Sequence, residues 1–119
     1  MAEKFPEVEI VGSSYEETSG LQRTLVDNEE FKLGETDILV KHVSCHTKGH
    51  ICFVATNAKS QKTHLFAGDC IFAGGCGRFF EGTGKEMLKN MDFFATLPDD
   101  TVVCPAHEYT EAYVAEITE

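Results

Sequence analysis

The sequence predicts a layered domain of the α/β or α+β class, and two observations support this prediction. Short segments rich in β-branched and aromatic residues, bounded by glycine and polar turns, occupy most of the first half of the chain and indicate strands. A Gly-rich loop, a capped helical pattern, a further strand and a closing helical pattern follow. Strands succeeded by an alternation of helix and strand are typical of a layered fold. A length of 119 residues corresponds to one domain.

The predicted strands have either alternating polar and apolar residues or β-branched and aromatic runs. They lie at 7–13, 30–33, 36–44, 50–57, 63–69 and 101–107. The second and third are separated by a Gly-Glu turn, so we predict that they form a hairpin. Residues 14–29 are polar and weakly patterned, and we predict a loop there.

Two helices are predicted in the second half of the chain. Thr83 and Glu86 have the spacing of a capping box, which predicts a helix over 84–96 that ends before Pro98. The tail YTEAYVAEI (109–117) predicts a closing helix. The apolar stripe of the first helix is predicted to consist of Met87, Leu88, Met91 and Phe94.

The composition excludes several classes of partner. A net charge of −10 disfavours nucleic acid and anionic membrane surfaces, which attract basic proteins. No apolar run has the roughly 18 residues that a membrane helix needs, and the N-terminus resembles neither a signal nor a transit peptide. We therefore expect a soluble, cytoplasmic protein. The five cysteines show no CxxC pairing and lie near apolar residues, so we expect buried free thiols.

The segment VKHVSCHTKGHICF (40–53) carries His42, His46 and His50, each four residues from the next. That spacing would place them on one face of a helix. However, Gly49 disfavours a helix and the flanking residues indicate strands. We therefore predict that SCHTKGH is a loop. In a loop, a spacing of four residues does not align side chains on one face, so it is no evidence that the three histidines form one site.

Asp69 and His107 each follow an apolar predicted strand. An acidic residue and a histidine at two strand ends, with a His-bearing loop between strands, are the kinds of group that form a metal site at a sheet edge. The residues alone leave two alternatives open. Asp69 could be a turn-forming aspartate, and His107 could be a residue at a helix N-terminus.

Three motifs, SCHTKGHICF, FAGDCIFAGGCGRFFEGT and CPAHEYT, occur in this order from residue 44 to residue 110. In sequence and spacing they resemble the glyoxalase II (hydroxyacylglutathione hydrolase) branch of the metallo-β-lactamase superfamily. The resemblance implies a partial αββα sandwich and metal-dependent hydrolysis of thioesters such as S-lactoylglutathione, an activity of methylglyoxal detoxification. The products are a 2-hydroxy acid and glutathione.

The resemblance also implies roles for individual residues. His46 and His107 would each bind one of two divalent ions, which Asp69 would bridge. Zinc is the expected metal, with iron or manganese as alternatives. The nucleophile would be water activated by the metal, and no protein side chain is expected to act as a further catalytic group. His42 and His64 would be packing or surface residues, and His50 would support the loop without binding metal.

The glutathione contacts implied by the resemblance are Arg78, Phe80 and Tyr109. The family usually has Lys and Tyr in place of the first two. Arginine keeps the positive charge, and phenylalanine keeps the ring but loses a hydroxyl hydrogen bond worth about 1 kcal/mol.

The sequence departs from the family pattern in one large respect. It contains no HxHxDH motif, so only three of the family's usual ligands are present, and the family's helical C-terminal region is not matched. Residues 1–119 are therefore interpreted as a partial domain, truncated at both ends. The alternative function is a non-catalytic binding or interaction module with an unknown protein partner.

Two other interpretations are disfavoured. EGTGKE (81–86) lacks the first glycine and the Ser/Thr of a P-loop. A persulfide dioxygenase of the same fold would lack the GCGRFFEGT pattern.

Overall fold

The computed structural model describes residues 4–118, and its main element is a mixed five-stranded sheet. The strands and helices within the described residues are β1 (Val11–Ser13), β2 (Arg23–Leu25), β3 (Glu30–Leu33), β4 (Thr36–His42), β5 (Ile51–Asn57), β6 (Thr63–Gly68), α1 (Gly84–Phe94), β7 (Val102–Pro105) and α2 (Thr110–Thr118). The predicted α+β class is confirmed. None of the described helices is long and apolar enough to cross a membrane.

The order of strands in the large sheet is β3-β4-β5-β6-β7. Neighbours from β3 to β6 are antiparallel, whereas β6 and β7 are parallel and are connected by a crossover that contains α1. The predicted hairpin of β3 and β4 is confirmed, and Gly34 adopts the positive φ of 61° that its turn requires. β1 and β2 form a separate parallel pair.

One face of the sheet packs against α1 to form the core. Val54 of β5 and Leu65 of β6 are opposite each other in the register and pack with Met87 of α1. Leu65 is 1% exposed, and full burial of such a side chain stabilises the fold by about 1.5–3 kcal/mol. Packing in this cluster fixes the position of the first turn of α1 relative to β5 and β6.

The opposite face of the sheet is apolar and partly exposed. Phe31, Ile38, Phe53 and Phe66 line a groove of about 640 Å³ on this face. Phe66, on the strand next to the edge strand β7, is 48% exposed, whereas Phe31 and Phe53 are half-buried. An apolar groove with an exposed aromatic side chain marks a contact area.

The structure corrects four details of the predicted elements. The first predicted strand, 7–13, is reduced to β1, and the predicted loop over 14–29 contains β2, which pairs with β1. The predicted helix ends at Phe94 instead of residue 96. Leu88, predicted in the apolar stripe, is 63% exposed, and Asn90 is buried instead. The Asn90 amide donates a hydrogen bond to the Ser44 carbonyl over 3.1 Å, which makes its burial tolerable.

Candidate metal centre

The residues predicted to bind metal meet at one edge of the sheet. β4 and β6 are both antiparallel to β5 and therefore run in the same direction, and β7 is parallel to β6. The carboxyl ends of these three strands thus lie at the same edge. His46 lies in the loop after β4, Asp69 directly follows β6, and His107 follows β7 by two residues.

The Asp69 carboxylate lies between the two histidines and presents a different oxygen to each. Its Oδ2 is 3.8 Å from Nε2 of His46, and its Oδ1 is 3.1 Å from Nε2 of His107. The three side chains are partly open to solvent, with exposed fractions of 21% for His46, 28% for Asp69 and 50% for His107. A small ion could therefore reach them from solution.

A backbone contact sets the proton position of His46. Its Nδ1 is 2.9 Å from the Arg78 carbonyl oxygen, and a carbonyl can only accept, so Nδ1–H donates. In the neutral imidazole the lone pair is then on Nε2, the nitrogen that faces Asp69. This arrangement, with one ring nitrogen donating to a carbonyl and the other free, is the usual one for a metal-binding histidine.

Two glycines of the GCGRFFEG motif allow the loop to approach this site. A Cβ on Gly77 would lie well inside 3.0 Å of the Asp69 carbonyl oxygen and 2.9 Å from Nδ1 of His46. A Cβ on Gly82 would overlap the Cα of Cys45 in the same way. The Gly77 N–H donates to the Asp69 carbonyl over 3.0 Å, so the two segments are in direct backbone contact.

The predicted substrate contacts surround the carboxylate and its histidines. The Arg78 guanidinium lies 5.4 Å above the Phe80 ring, whose edge-on neighbour is His46 at 5.1 Å between centroids. Tyr109 stacks on His107 with ring centroids 5.0 Å apart. Phe80 is 64% exposed and is available for contact with a ligand.

The three predicted metal ligands, Arg78 and Tyr109 help to line a cavity of about 210 Å³, whereas Phe80 is not part of its wall. Its walls are formed by His46, Asp69, Phe72, Cys76, Gly77, Arg78, His107, Tyr109 and Tyr113. Phe72 and Tyr113 were not among the predicted site residues. Their rings are stacked, with centroids 6.3 Å apart, and both lie against Tyr109. In the sequence, Phe72 lies close to GDC and Tyr113 lies close to HEYT. This proximity is the only sequence signal that could have indicated them.

Two of the other histidines, His42 and His64, lie in strands of the sheet. His42 stacks on Tyr15 with centroids 3.9 Å apart, and its Nε2 is 2.7 Å from the Lys48 carbonyl oxygen. His64 is a half-buried residue of β6. These positions agree with the prediction that both are packing or surface residues. His50 lies at the site itself: its ring is edge-on to the His46 ring, and its Nε2 contacts the Ala67 carbonyl oxygen, two residues before Asp69.

The cysteines are free thiols, as predicted, but burial is confirmed only for Cys45, Cys52 and Cys70, whereas Cys76 and Cys104 are partly exposed. Burial raises the pKa of the Cys45 and Cys76 thiols. A hydrogen bond to Cys70, together with burial, raises the pKa of Cys52. The raised pKa values keep these three thiols protonated at neutral pH, which makes them poor nucleophiles.

The residue types at the centre fit a divalent metal, but their number is small. Imidazole nitrogen and carboxylate oxygen suit zinc and also iron or manganese. Within residues 4–118, however, no group of three or more His, Cys, Asp or Glu side chains is placed so that it could hold one metal ion. An ion on either side of Asp69 would meet one histidine and one carboxylate oxygen. Two ligands are fewer than the three or four protein ligands that zinc sites usually have.

No family model matches the sequence. Solved structures are similar to the chain along most of its length. A metallo-β-lactamase from Staphylococcus aureus subsp. aureus COL is 27% identical with a TM-score of 0.76, over 89% of this chain and 35% of that one. ETHE1 from Myxococcus xanthus is 25% identical with a TM-score of 0.74, over 89% and 45%. TTHA1623, solved in a di-iron-bound form, is 20% identical with a TM-score of 0.67, over 93% and 65%.

The chain thus spans between about one third and two thirds of the length of these proteins. Nearly nine tenths or more of this chain is aligned in each case. The fold of this chain is that of the metallo-β-lactamase superfamily.

Proposed function

We propose that the chain carries part of the active site of a metal-dependent thioester hydrolase that acts on S-(2-hydroxyacyl)glutathiones such as S-lactoylglutathione. One observation carries the proposal: Asp69 presents its two oxygens to two different histidines, His46 and His107, at distances of 3.8 and 3.1 Å. A carboxylate between two imidazoles suits a pair of cations, because its charge reduces their repulsion and its two oxygens fix their separation.

The predicted site residues would have two roles, metal binding and substrate binding. His46, Asp69 and His107 would hold the metal. A divalent metal, when bound, lowers the pKa of water and stabilises negative charge on a carbonyl oxygen. Arg78 would attract a carboxylate of glutathione, and Phe80 and Tyr109 would offer rings on either side of the carboxylate site. The oxygen of a water molecule would form a bond to the thioester carbonyl carbon and the C–S bond would break, giving the carboxylate of the 2-hydroxy acid and the glutathione thiolate. The two protons of the water would pass to solvent, and the thiolate would leave without help from a protein acid.

One of the similar structures supports the metal-binding part of the proposal. The di-iron-bound form of TTHA1623 shows that a protein of this fold holds two metal ions.

We also propose that the chain is located in the cytoplasm. Its cysteines are free, which fits a reducing compartment.

The test is hydrolysis of S-lactoylglutathione by the purified chain, with bound metal measured on the same sample. We expect His46→Ala, Asp69→Ala and His107→Ala each to abolish metal binding, and His42→Ala and His64→Ala to leave it within about threefold of the unmodified chain. The two control histidines lie in β4 and β6 of the same sheet, and His42 contacts the Lys48 carbonyl oxygen instead of Asp69. Equal metal loss in His42→Ala would refute the assignment of ligands.

The alternative function, a non-catalytic binding module, is favoured by the exposed apolar face that includes Phe66. The same experiment separates the two. Turnover with close to two metals per chain would support the hydrolase. Neither turnover nor metal binding, in a chain that folds, would favour the module.

A further inference from the structure

The segment Ala67–Gly68, directly before Asp69, is a meeting point of three parts of the chain. The Ala67 carbonyl accepts from the Cys70 N–H over 3.1 Å, which closes the turn that presents Asp69. The Gly68 carbonyl accepts from the Ala106 N–H over 3.0 Å, which fixes the residue before His107. The position of Asp69 relative to His107 is thus set by backbone hydrogen bonds.

His50 makes the corresponding link to the loop that carries His46. Its Nε2 is 3.2 Å from the Ala67 carbonyl oxygen, and because a carbonyl only accepts, Nε2–H is the donor. The His50 ring is perpendicular to the His46 ring, with centroids 6.2 Å apart. The His50 carbonyl accepts from the Val43 N–H over 2.8 Å, which closes the base of the loop.

Gly68 makes room for this link. A Cβ at that position would lie 2.7 Å from Nε2 and 2.9 Å from Cε1 of His50, which is too close for real atoms. Gly68 also has a φ of +56°, a conformation that other residues rarely adopt. The glycine and the imidazole therefore fit each other, and the ring reaches the backbone directly before Asp69.

We propose that His50 is a positioning residue that sets the distance between His46 and Asp69. It acts through the Ala67 carbonyl on one side and the His46 ring on the other, and it does not itself touch a metal or substrate. The inference rests on the proposed function where metal binding is concerned, but the geometric link to the Asp69 turn can be tested without metal.

The experiment compares three variants of the full chain. His50→Leu removes the donor, and His50→Gln keeps a side-chain N–H that can reach Ala67. His42→Leu is the matched control, because the His42 ring also contacts a backbone carbonyl of this loop, that of Lys48. The two measurements are amide hydrogen exchange of Cys70 and Ala106 in metal-free protein, and affinity for Zn²⁺ by titration.

We expect His50→Leu to speed exchange of both amides by about tenfold relative to amides of α1, and to weaken Zn²⁺ binding by about 10- to 100-fold. His50→Gln should restore both to within about threefold, and His42→Leu should change neither by more than that. Should His50→Leu fail to fold, His50→Asn takes its place, since its shorter amide stops short of Ala67.

Two results would overturn the inference: exchange in His50→Leu no faster than in His42→Leu, or His50→Gln as impaired as His50→Leu. A failure of the proposed function is recognised separately. If the unmodified chain binds Zn²⁺ no better than Asp69→Ala, the metal assignment is wrong, and the exchange measurement alone decides the role of His50.

Discussion

Replacement of Gly77 by alanine tests the close approach of the Gly-rich loop to Asp69. The added Cβ would overlap the Asp69 carbonyl oxygen, and this neighbour is backbone, so it cannot swing away like the tip of a side chain. We expect the loop to shift by about 1 Å to restore normal contact, as in other overpacked sites. The shift would strain the hydrogen bond from the Gly77 N–H to Asp69, now 3.0 Å long.

The expected cost follows from these two effects. Overpacking costs about 1–3 kcal/mol, and a weakened hydrogen bond adds about 1 kcal/mol. We therefore expect Gly77→Ala to lower the free energy of unfolding by about 3 kcal/mol. Since His46 donates to the Arg78 carbonyl next in the chain, the same shift should also weaken metal binding.

Gly84→Ala is the matched control, because nothing lies within 4 Å of a Cβ there and the residue opens α1. Alanine at such a position stabilises by about 0.4–1 kcal/mol, since it restricts the unfolded chain. Urea unfolding followed by circular dichroism would measure both variants. If the two unfold at the same urea concentration with equal slopes, the loop does not approach Asp69 as described.

Two further predictions concern the helix cap and the loop before β3. Thr83→Ala should lower the free energy of unfolding by about 1 kcal/mol in the same urea assay, because Thr83 and Glu86 cap each other's backbone N–H groups. A change below about 0.2 kcal/mol would contradict this cap. Asp27 is subject to burial, which raises its pKa, but hydrogen bonds from the His42 N–H and Lys41 outweigh burial and hold the pKa below the usual 3.8. A carboxyl group whose pKa is lower in the folded than in the unfolded chain stabilises the fold. This contribution to stability is complete at pH values above the unfolded pKa and is lost as pH falls through the folded pKa. Asp27→Asn should therefore flatten the loss of stability that occurs as pH falls below the usual pKa of 3.8, and an unchanged slope would argue against these bonds.

The strands and the first helix are predictable because their signals are local. β4, β5 and β6 are rich in β-branched and aromatic residues, and the capping box marks the start of α1. β2 is missed because RTL is short and polar, and its strand geometry depends on pairing with β1, twelve residues earlier. The exposure of Leu88 depends on where α1 lies against the sheet, which periodicity alone does not determine.

The candidate site is only partly predictable. Strand ends indicate Asp69 and His107 as polar groups at a sheet edge, but the choice of His46 among three histidines comes from the family resemblance. The contact of His50 with Ala67 joins residues 17 positions apart across β5 and β6, and no local pattern reports it. Likewise, Phe72 and Tyr113 line the cavity because α2 packs against the Gly-rich loop, and this contact cannot be read from the local sequence.

The parallel pairing of β6 with β7 also sets an order in time for the assembly of this centre. β4, β5 and β6 are neighbours in sequence and pair through short loops, whereas β7 joins β6 only after residues 69–101 have crossed over the sheet. Loop closure costs more entropy for longer segments, and pairing between distant residues slows folding. We therefore expect His46 and Asp69 to come together early in folding, and His107 to join them only in the late step that closes the crossover.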